Sequence, residues 1–243
     1  MMQEQQLSEL LIITCTYRRP HRMHFLEETL KVFRQIPNMR WIVVEDDHAV
    51  DPQVKEFLGQ CGIPYVYLNV YSRNFGNSQK SVGLSYIRDN HLQGIIYTAD
   101  DDNRYDVRLF NEIRKTRKIS VFPVGNLGPN GIERPIVQAG KIVGWDADWS
   151  SRKFPIDQAG YAINAKLLAP LKDPLWVYSQ YGGETEFIEK IIQSPDELEI
   201  LCNECRDCYV WHNDLRYLGF LGKIWKRSKI LLRKHLNIHI RRF

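Results

Sequence analysis

Through the first hundred residues, short apolar runs rich in β-branched residues alternate with stretches whose apolar positions recur at helical spacing. The runs at 10–14, 41–44, 65–68 and 94–98 have the length and composition of buried strands. Between the first two, Phe25, Leu26, Leu30 and Phe33 form one helical face, with Glu27 and Glu28 expected in the first turn, where the helix dipole favours acids. Helices are also expected at 52–59 and 79–90. This alternation predicts a parallel, Rossmann-like sheet whose ligands sit outside the carboxyl ends of the strands. Thr14, Glu45 and Asp100 stand at three of those ends and are expected to face one crevice.

Beyond residue 103 the pattern changes. A helix is expected at 107–116 and a strand at 119–123, followed by a loop at 125–131 where Gly, Pro and Asn gather. Apolar segments at 136–137 and 141–145 flank Gln138-Ala139-Gly140 and read as a hairpin, so the second half turns antiparallel. A helix at 183–193 and a strand at 208–212 follow. From 220 to 238, apolar residues at 220, 221, 224, 225, 231 and 232 lie mostly opposite basic ones, the spacing of a basic amphipathic helix.

At 243 residues the chain can form one large α/β domain or two small ones. It has no run of about 18 apolar residues, so no transmembrane helix is expected. Met1 to Leu7 lacks the basic and apolar regions of a signal peptide, and the chain taken whole reads as cytosolic. Five cysteines, an odd number, fit a reducing compartment. Cys202, Cys205 and Cys208, with His212 as a fourth ligand, invite a zinc reading. Structural zinc sites usually join two separated ligand pairs, so ordinary thiols beside a strand are the simpler expectation. The net charge of +4 conceals an asymmetry. Nine of the 33 basic residues fall in 216–243, which has no acid, leaving 24 against 29 acids, a net of −5, in residues 1–215.

The fourth strand ends in Asp100-Asp101-Asp102-Asn103. Three adjacent carboxylates repel one another unless a cation or a ring of donors holds them. A solvated acidic turn capping the next helix is the bland alternative. Placement at the end of a buried strand favours a hard divalent cation shared between carboxylate and substrate phosphate oxygens.

Six segments then occur in order: Thr14-Cys15-Thr16-Tyr17-Arg18-Arg19-Pro20, Trp41-Ile42-Val43-Val44-Glu45-Asp46, Tyr97-Thr98-Ala99-Asp100-Asp101-Asp102-Asn103, Val121-Phe122-Pro123-Val124, Phe154-Pro155-Ile156-Asp157-Gln158-Ala159-Gly160 and Val210-Trp211-His212. Together they resemble the β-1,3-glucuronosyltransferases, glycosyltransferase family 43, over roughly residues 10–212. The resemblance implies a GT-A fold, a UDP-sugar donor, Mn²⁺ (or Mg²⁺) and transfer with inversion to a saccharide acceptor. It places a UDP-binding half at 1–103 and an acceptor-binding half at 104–215 of a single domain, followed by the basic tail. Position by position, it implies that Tyr17 and Asp46 hold the uracil, that Asp100 and Asp101 contact ribose and donor sugar, and that Asp102 ligates the metal. His212 reaches the diphosphate or donor. The resemblance further implies that Glu133, Arg152 and Asp157 hydrogen-bond the acceptor sugar and that Trp149 stacks on it, at a spacing to Arg152 one residue short of the family's. Glu184, opening a helix, is the implied base that takes the acceptor hydroxyl proton; without the resemblance, Glu184 and Glu186 would be read only as acids favouring a helix N-terminus.

The sequence also departs from the family. Cys15 replaces a Pro, Lys80 stands for an Arg near the donor, Phe75 stands at a second Arg position, and Asn213-Asp214-Leu215-Arg216 replaces the family's sequence after His212. Lys does not reproduce the bidentate grip of Arg on a carboxylate, which leaves UDP-xylose or UDP-galactose as alternative donors. A non-catalytic nucleotide- and membrane-binding assembly factor is the alternative of another class. A nucleotidyltransferase would also use an acidic strand end but has no need of Glu184 or the Arg152 and Asp157 pair. The tail is read as a peripheral helix on the anionic inner face of the cell membrane, consistent with a lipid-linked acceptor in capsule or lipopolysaccharide assembly. A solvated helix or a nucleic-acid contact are the other readings of the same charge, and nucleic acid is not expected as a partner. Family members are often homodimers.

Overall fold

The computed structural model describes residues 7–72, 76–149, 151–177 and 183–212. Phe75, residues 213–216 and the tail expected to be helical at 220–238 lie outside them. Contacts divide the chain into Met1–His212, considered below, and Asn213–Phe243.

Four strands build the first half: β1 (Leu10–Thr16), β2 (Met39–Glu45), β3 (Tyr65–Asn69) and β4 (Ile95–Thr98). They are joined by α1 (Arg22–Phe33), α2 (Pro52–Gly59) and α3 (Asn77–Asp89), and run parallel in the order β3-β2-β1-β4. Successive side chains leave a strand on opposite faces, and the two cores follow that rule. Leu10, Ile12, Trp41, Val43, Ile95 and Tyr97 enter one core with Phe33 of α1 and Val54 of α2. Leu11, Ile13, Ile42, Val44 and Ile96 enter the other with Leu84 and Ile87 of α3. Helices on both faces explain why β1 and β2 are nearly continuous apolar runs rather than alternating ones.

After β4 come β5 (Arg104–Tyr105), α4 (Val107–Ile113), β6 (Ile119–Val121), β7 (Val124–Gly125), β8 (Ile132–Gln138), β9 (Lys141–Asp146), β10 (Tyr161–Asn164), α5 (Glu184–Glu189), β11 (Glu199–Ile200) and β12 (Val210–Trp211). β10 inserts antiparallel between β4 and β6, and β11 adds parallel to β6, giving a seven-stranded sheet in the order β11-β6-β10-β4-β1-β2-β3. A second, five-stranded sheet runs β5-β12-β7-β8-β9. The expected hairpin is β8–β9, antiparallel as anticipated.

Several sequence expectations shift. α1 starts at Arg22, after His21 in the left-handed region, so Glu27 and Glu28 fall in its second turn. α4 and α5 are shorter than anticipated. The strand-end expectation is corrected. Thr14 is buried, its Oγ1 2.9 Å from the Trp41 indole nitrogen. Glu45 is buried too, accepting from Arg22 at 2.7 Å and from the Tyr67 hydroxyl at 2.5 Å. Both are taken up by partners in the interior rather than facing one crevice. α3 approaches β1 so closely that a Cβ at Gly83 would lie 2.9 Å from Ile13 Cγ2. That contact seats the first turn of α3 beside the end of β1. No helix among the described residues is long and apolar enough to cross a membrane.

Candidate active site

The loop leaving β1 meets the end of β4. Asp101 is buried, with Oδ2 accepting from Thr16 Oγ1 at 2.8 Å and Oδ1 accepting from Arg19 Nη2 at 2.5 Å. Burial raises its pKa, against the opposing pull of Arg19 and Thr16. The same Arg19 nitrogen lies 3.3 Å from Asp102 Oδ2, and the guanidinium carbon stands 4.6 Å from the centre of the half-exposed Tyr17 ring. Asp46 follows β2, its N–H bound to Thr16 O at 2.9 Å and its Oδ1 accepting from Ser72 N–H at 2.9 Å. Tyr17 and Asp46 are thus anchored to the same strand end. A cavity of about 440 Å³, lined by Arg18, Arg19, His21, Arg22, Asp51 and Gln53 among others, lies beside Arg19.

Asp100 is held differently. The carboxamides of Gln158 and Asn103 donate to its two oxygens, the latter at 3.3 Å, while its carbonyl accepts from Tyr105 Oη at 2.7 Å. Burial, and next the charge of Asp157, push its pKa to about 6. Asp157 caps the turn Gln158–Gly160, accepting from Ala159 N–H at 2.8 Å. Its Oδ1 is 3.1 Å from His212 Nε2; a carboxylate can only accept, so Nε2–H donates. Burial works against the charge on Asp157, yet the hydrogen bond and charge of His212 hold its pKa below the usual range. Glu133 of β8 accepts the Asp157 N–H at 2.5 Å, and burial, then Asp157, push its pKa to about 8.

Glu184 is the first residue of α5. Gly183 precedes it at φ +94, and a Cβ there would come within 2.5 Å of Trp176 Nε1, so this turn requires glycine. Thr185 Oγ1 ties the helix start to Phe154 O at 2.9 Å. Glu184 Oε2 is 3.6 Å from Arg152 Nη1, and the Arg152 guanidinium carbon is 5.0 Å from the centre of the Trp149 ring, which is 61% exposed. Burial pushes the Glu184 pKa to about 7, opposed by Lys80 and Arg152 and assisted by Asp157. Lys80 of α3 is itself buried, 4.6 Å from the Trp176 ring centre.

The fold therefore gathers Asp157, Glu133 and His212 in one hydrogen-bonded group, with Asp100, Lys80 and Glu184 in its electrostatic field and Arg152 beside Glu184. Tyr17, Asp101 and Asp102 form a second group around Arg19. The sequence motifs gave no role to Arg19, Gln158, Asn103 or Trp176. Arg19, Asn103 and Gln158 lie inside the matched segments, so position was visible and partner was not. The described residues contain no cluster of three or more His, Cys, Asp or Glu that could hold a metal alone. Asp102, a single carboxylate at the rim of the strand end, instead fits a shared site in which substrate phosphates supply the other oxygens. The thiols point elsewhere. Cys205 and Cys208 lie within reach of the carbonyls of Val121 and Val210, while His212 faces Asp157.

The sequence profile of glycosyltransferase family 43 matches residues 29–216. The galactosylgalactosylxylosylprotein 3-beta-glucuronosyltransferase 2 of Homo sapiens is 37% identical over 226 residues, 85% of this chain and 69% of that protein. The corresponding protein P of Drosophila melanogaster is 34% identical over 219 residues, 85% of this chain but 46% of the relative, so the match spans less than half of it. Among solved structures, the inositol-1-phosphate CTP transferase from T. maritima has a TM-score of 0.57 at 9% identity, over 91% of this chain and 97% of that one. S. aureus TarS in complex with UDP has a TM-score of 0.51 at 11% identity, over 84% of this chain and 60% of that one. At these identities the likeness is one of fold, and the fold is of the GT-A type.

Proposed function

The chain belongs to glycosyltransferase family 43, a family of UDP-sugar-dependent enzymes, and on that premise we propose that it transfers glucuronic acid with inversion from UDP-glucuronate to a saccharide. The observation that carries this reading is Glu184: a carboxyl with its pKa near 7, at a helix start, beside Arg152 and facing the Asp157 group. An inverting displacement needs a base of this kind on the acceptor side, poised to accept a hydroxyl proton near neutral pH. Arg152, Asp157 and Glu133 supply both donors and acceptors for the hydroxyls of an acceptor sugar, and the exposed Trp149 ring offers an apolar face to it. On the donor side, Tyr17 and Asp46 hold the base, Asp100 and Asp101 meet ribose and sugar, and Lys80 and His212 face the anionic part. Asp102 would hold Mn²⁺ or Mg²⁺, which would supply positive charge against that developing on the departing UDP.

A thermal-shift panel of UDP-sugars with and without Mn²⁺ tests the donor. UDP-glucuronate with Mn²⁺ at a hundred times its Kd should raise Tm by about 5–10 °C, the mass-action effect for a domain of this size. A larger shift with UDP-xylose or UDP-galactose would reassign the donor, and no shift with any of them would remove the enzyme reading.

The nine basic and no acidic residues of 216–243 support attachment to an anionic membrane at its cytoplasmic face, with a lipid-linked glycan as acceptor. Deletion of residues 218–243 should abolish sedimentation with anionic vesicles and leave behaviour with neutral vesicles unchanged. Equal sedimentation of both proteins would end that idea.

A further inference from the structure

Trp176 has no part in the reading above, yet the Lys80 ammonium rests on it. Lys80 is 6% exposed, its Nζ is 4.6 Å from the Trp176 ring centre, and among the described residues that ammonium has no hydrogen-bond acceptor and no ion-pair partner. An ammonium at the end of a buried side chain, with no acceptor from the described residues, can receive an anion brought to it.

The indole is fixed from several sides. Its N–H donates to Asn77 Oδ1 at 2.7 Å, three residues before Lys80 on the same face of α3. Its main-chain N–H reaches Ser81 Oγ at 3.4 Å. Phe187 of α5 stacks on it at 5.2 Å with planes 30° apart, and Gly183 leaves no space for a side chain against its edge. The same ring thus joins the first turn of α3, which carries Lys80, to the helix start that carries Glu184. A ring face within about 6 Å attracts a cation while leaving its N–H groups unused.

We propose that Trp176 is a positioning residue that holds the Lys80 ammonium as the receptor for an anionic group of the donor, its diphosphate or a sugar carboxylate. The inference rests on the donor reading and deepens it. Salt bridges and hydrogen bonds already hold Arg19, Arg22, Arg88 and Arg108. Lys80, by contrast, is buried, has no salt bridge or hydrogen bond among the described residues, and lies over a ring face within the field of Asp100, Asp157 and Glu184.

Calorimetric titration with UDP, UDP-glucose and UDP-glucuronate tests this on the wild type, Trp176→Leu, Trp176→Phe, Lys80→Met and the double variant Trp176→Leu/Lys80→Met. Lys80→Met should weaken binding about ten- to hundredfold, the effect of losing a charge-assisted contact. Trp176→Leu should weaken it similarly, and the double variant no more than Lys80→Met alone, because Trp176 acts through Lys80. Trp176→Phe, which keeps a ring face, should retain most of the affinity. A loss confined to UDP-glucuronate places the sugar carboxylate on Lys80; a loss shared by all three ligands places the diphosphate there. Additive losses, or wild-type affinity in Trp176→Leu, overturn the proposal. Should Trp176→Leu melt at the working temperature, Asn77→Ala frees the indole N–H and enters the same cycle with Lys80→Met, where additivity again counts against it. A wild type that binds none of the three ligands overturns the donor reading itself, and this inference with it.

Discussion

Replacing Glu184 with Gln should lower kcat for sugar transfer by about a hundred- to ten-thousandfold while leaving UDP affinity within about twofold of wild type. The substitution keeps the shape of the side chain and removes its capacity to take a proton. Thr185 still ties the helix start to Phe154, and Gly183 still provides the turn, so the site's frame survives. The carboxyl lies in the acceptor-facing group with Arg152, apart from Asp101 and Asp102 around Arg19, which is why UDP binding should be spared. The pH dependence has a definite sign. Burial raises the Glu184 pKa to about 7, and the base acts only when ionised, so wild-type kcat/KM should climb through about pH 6 to 8. Arg152→Met removes a cation that favours the ionised form, so it should move that limb to higher pH. Transfer retained in Glu184→Gln, or UDP binding lost in parallel with transfer, would show that Glu184 is not the base.

How much of this was legible in the chain varies with the range of the interaction. β1, β2 and β4 were readable because both faces are buried, which writes an unbroken apolar run; β8–β9 was readable from its turn residues and flanking apolar pairs. The two-residue strands β5, β7 and β11 carry no periodic signal, since a pair of residues cannot show one, whereas β12 falls inside the strand expected at 208–212. The stretch Cys202–Cys205 was beyond reach: four non-glycine residues in succession take positive φ, a conformation that no side chain there advertises. The site's members were named from a family pattern, but their joining was not. That Asp157 lies between Glu133 and His212, or that Gln158 reaches back to Asp100, depends on β10 inserting between β4 and β6, a long-range pairing invisible to local spacing. The misplacement of Thr14 and Glu45 has the same origin. Both are polar residues near strand ends, and sequence alone could not show that Trp41 and Arg22 lay waiting inside to receive them.

Asp102→Ala should abolish the Mn²⁺ dependence of UDP binding and bring transfer below detection. The expectation follows from how the three adjacent carboxylates are shared out. Both oxygens of Asp100 accept from carboxamides, and both oxygens of Asp101 are taken up by Thr16 and Arg19 in a buried position. Asp102 is 14% exposed and touches Arg19 only at 3.3 Å, a longer contact than the 2.5 Å one from the same nitrogen to Asp101. Asp101 is buried at 3% exposed while Asp102 reaches the surface of the strand end, which makes Asp102 the more accessible carboxylate for a hard cation and a diphosphate to share. Removing it should not unfold the strand end, because Arg19 keeps its stronger contact to Asp101, so Tm without ligand should stay within a few degrees of wild type. Calorimetric titration of UDP at rising Mn²⁺ gives the decisive reading: a metal-dependent gain in affinity for wild type and a flat response for Asp102→Ala. A gain that persists in the variant would place the cation on other oxygens, and Asp100, two positions earlier at the same strand end, would then be the next carboxylate to replace.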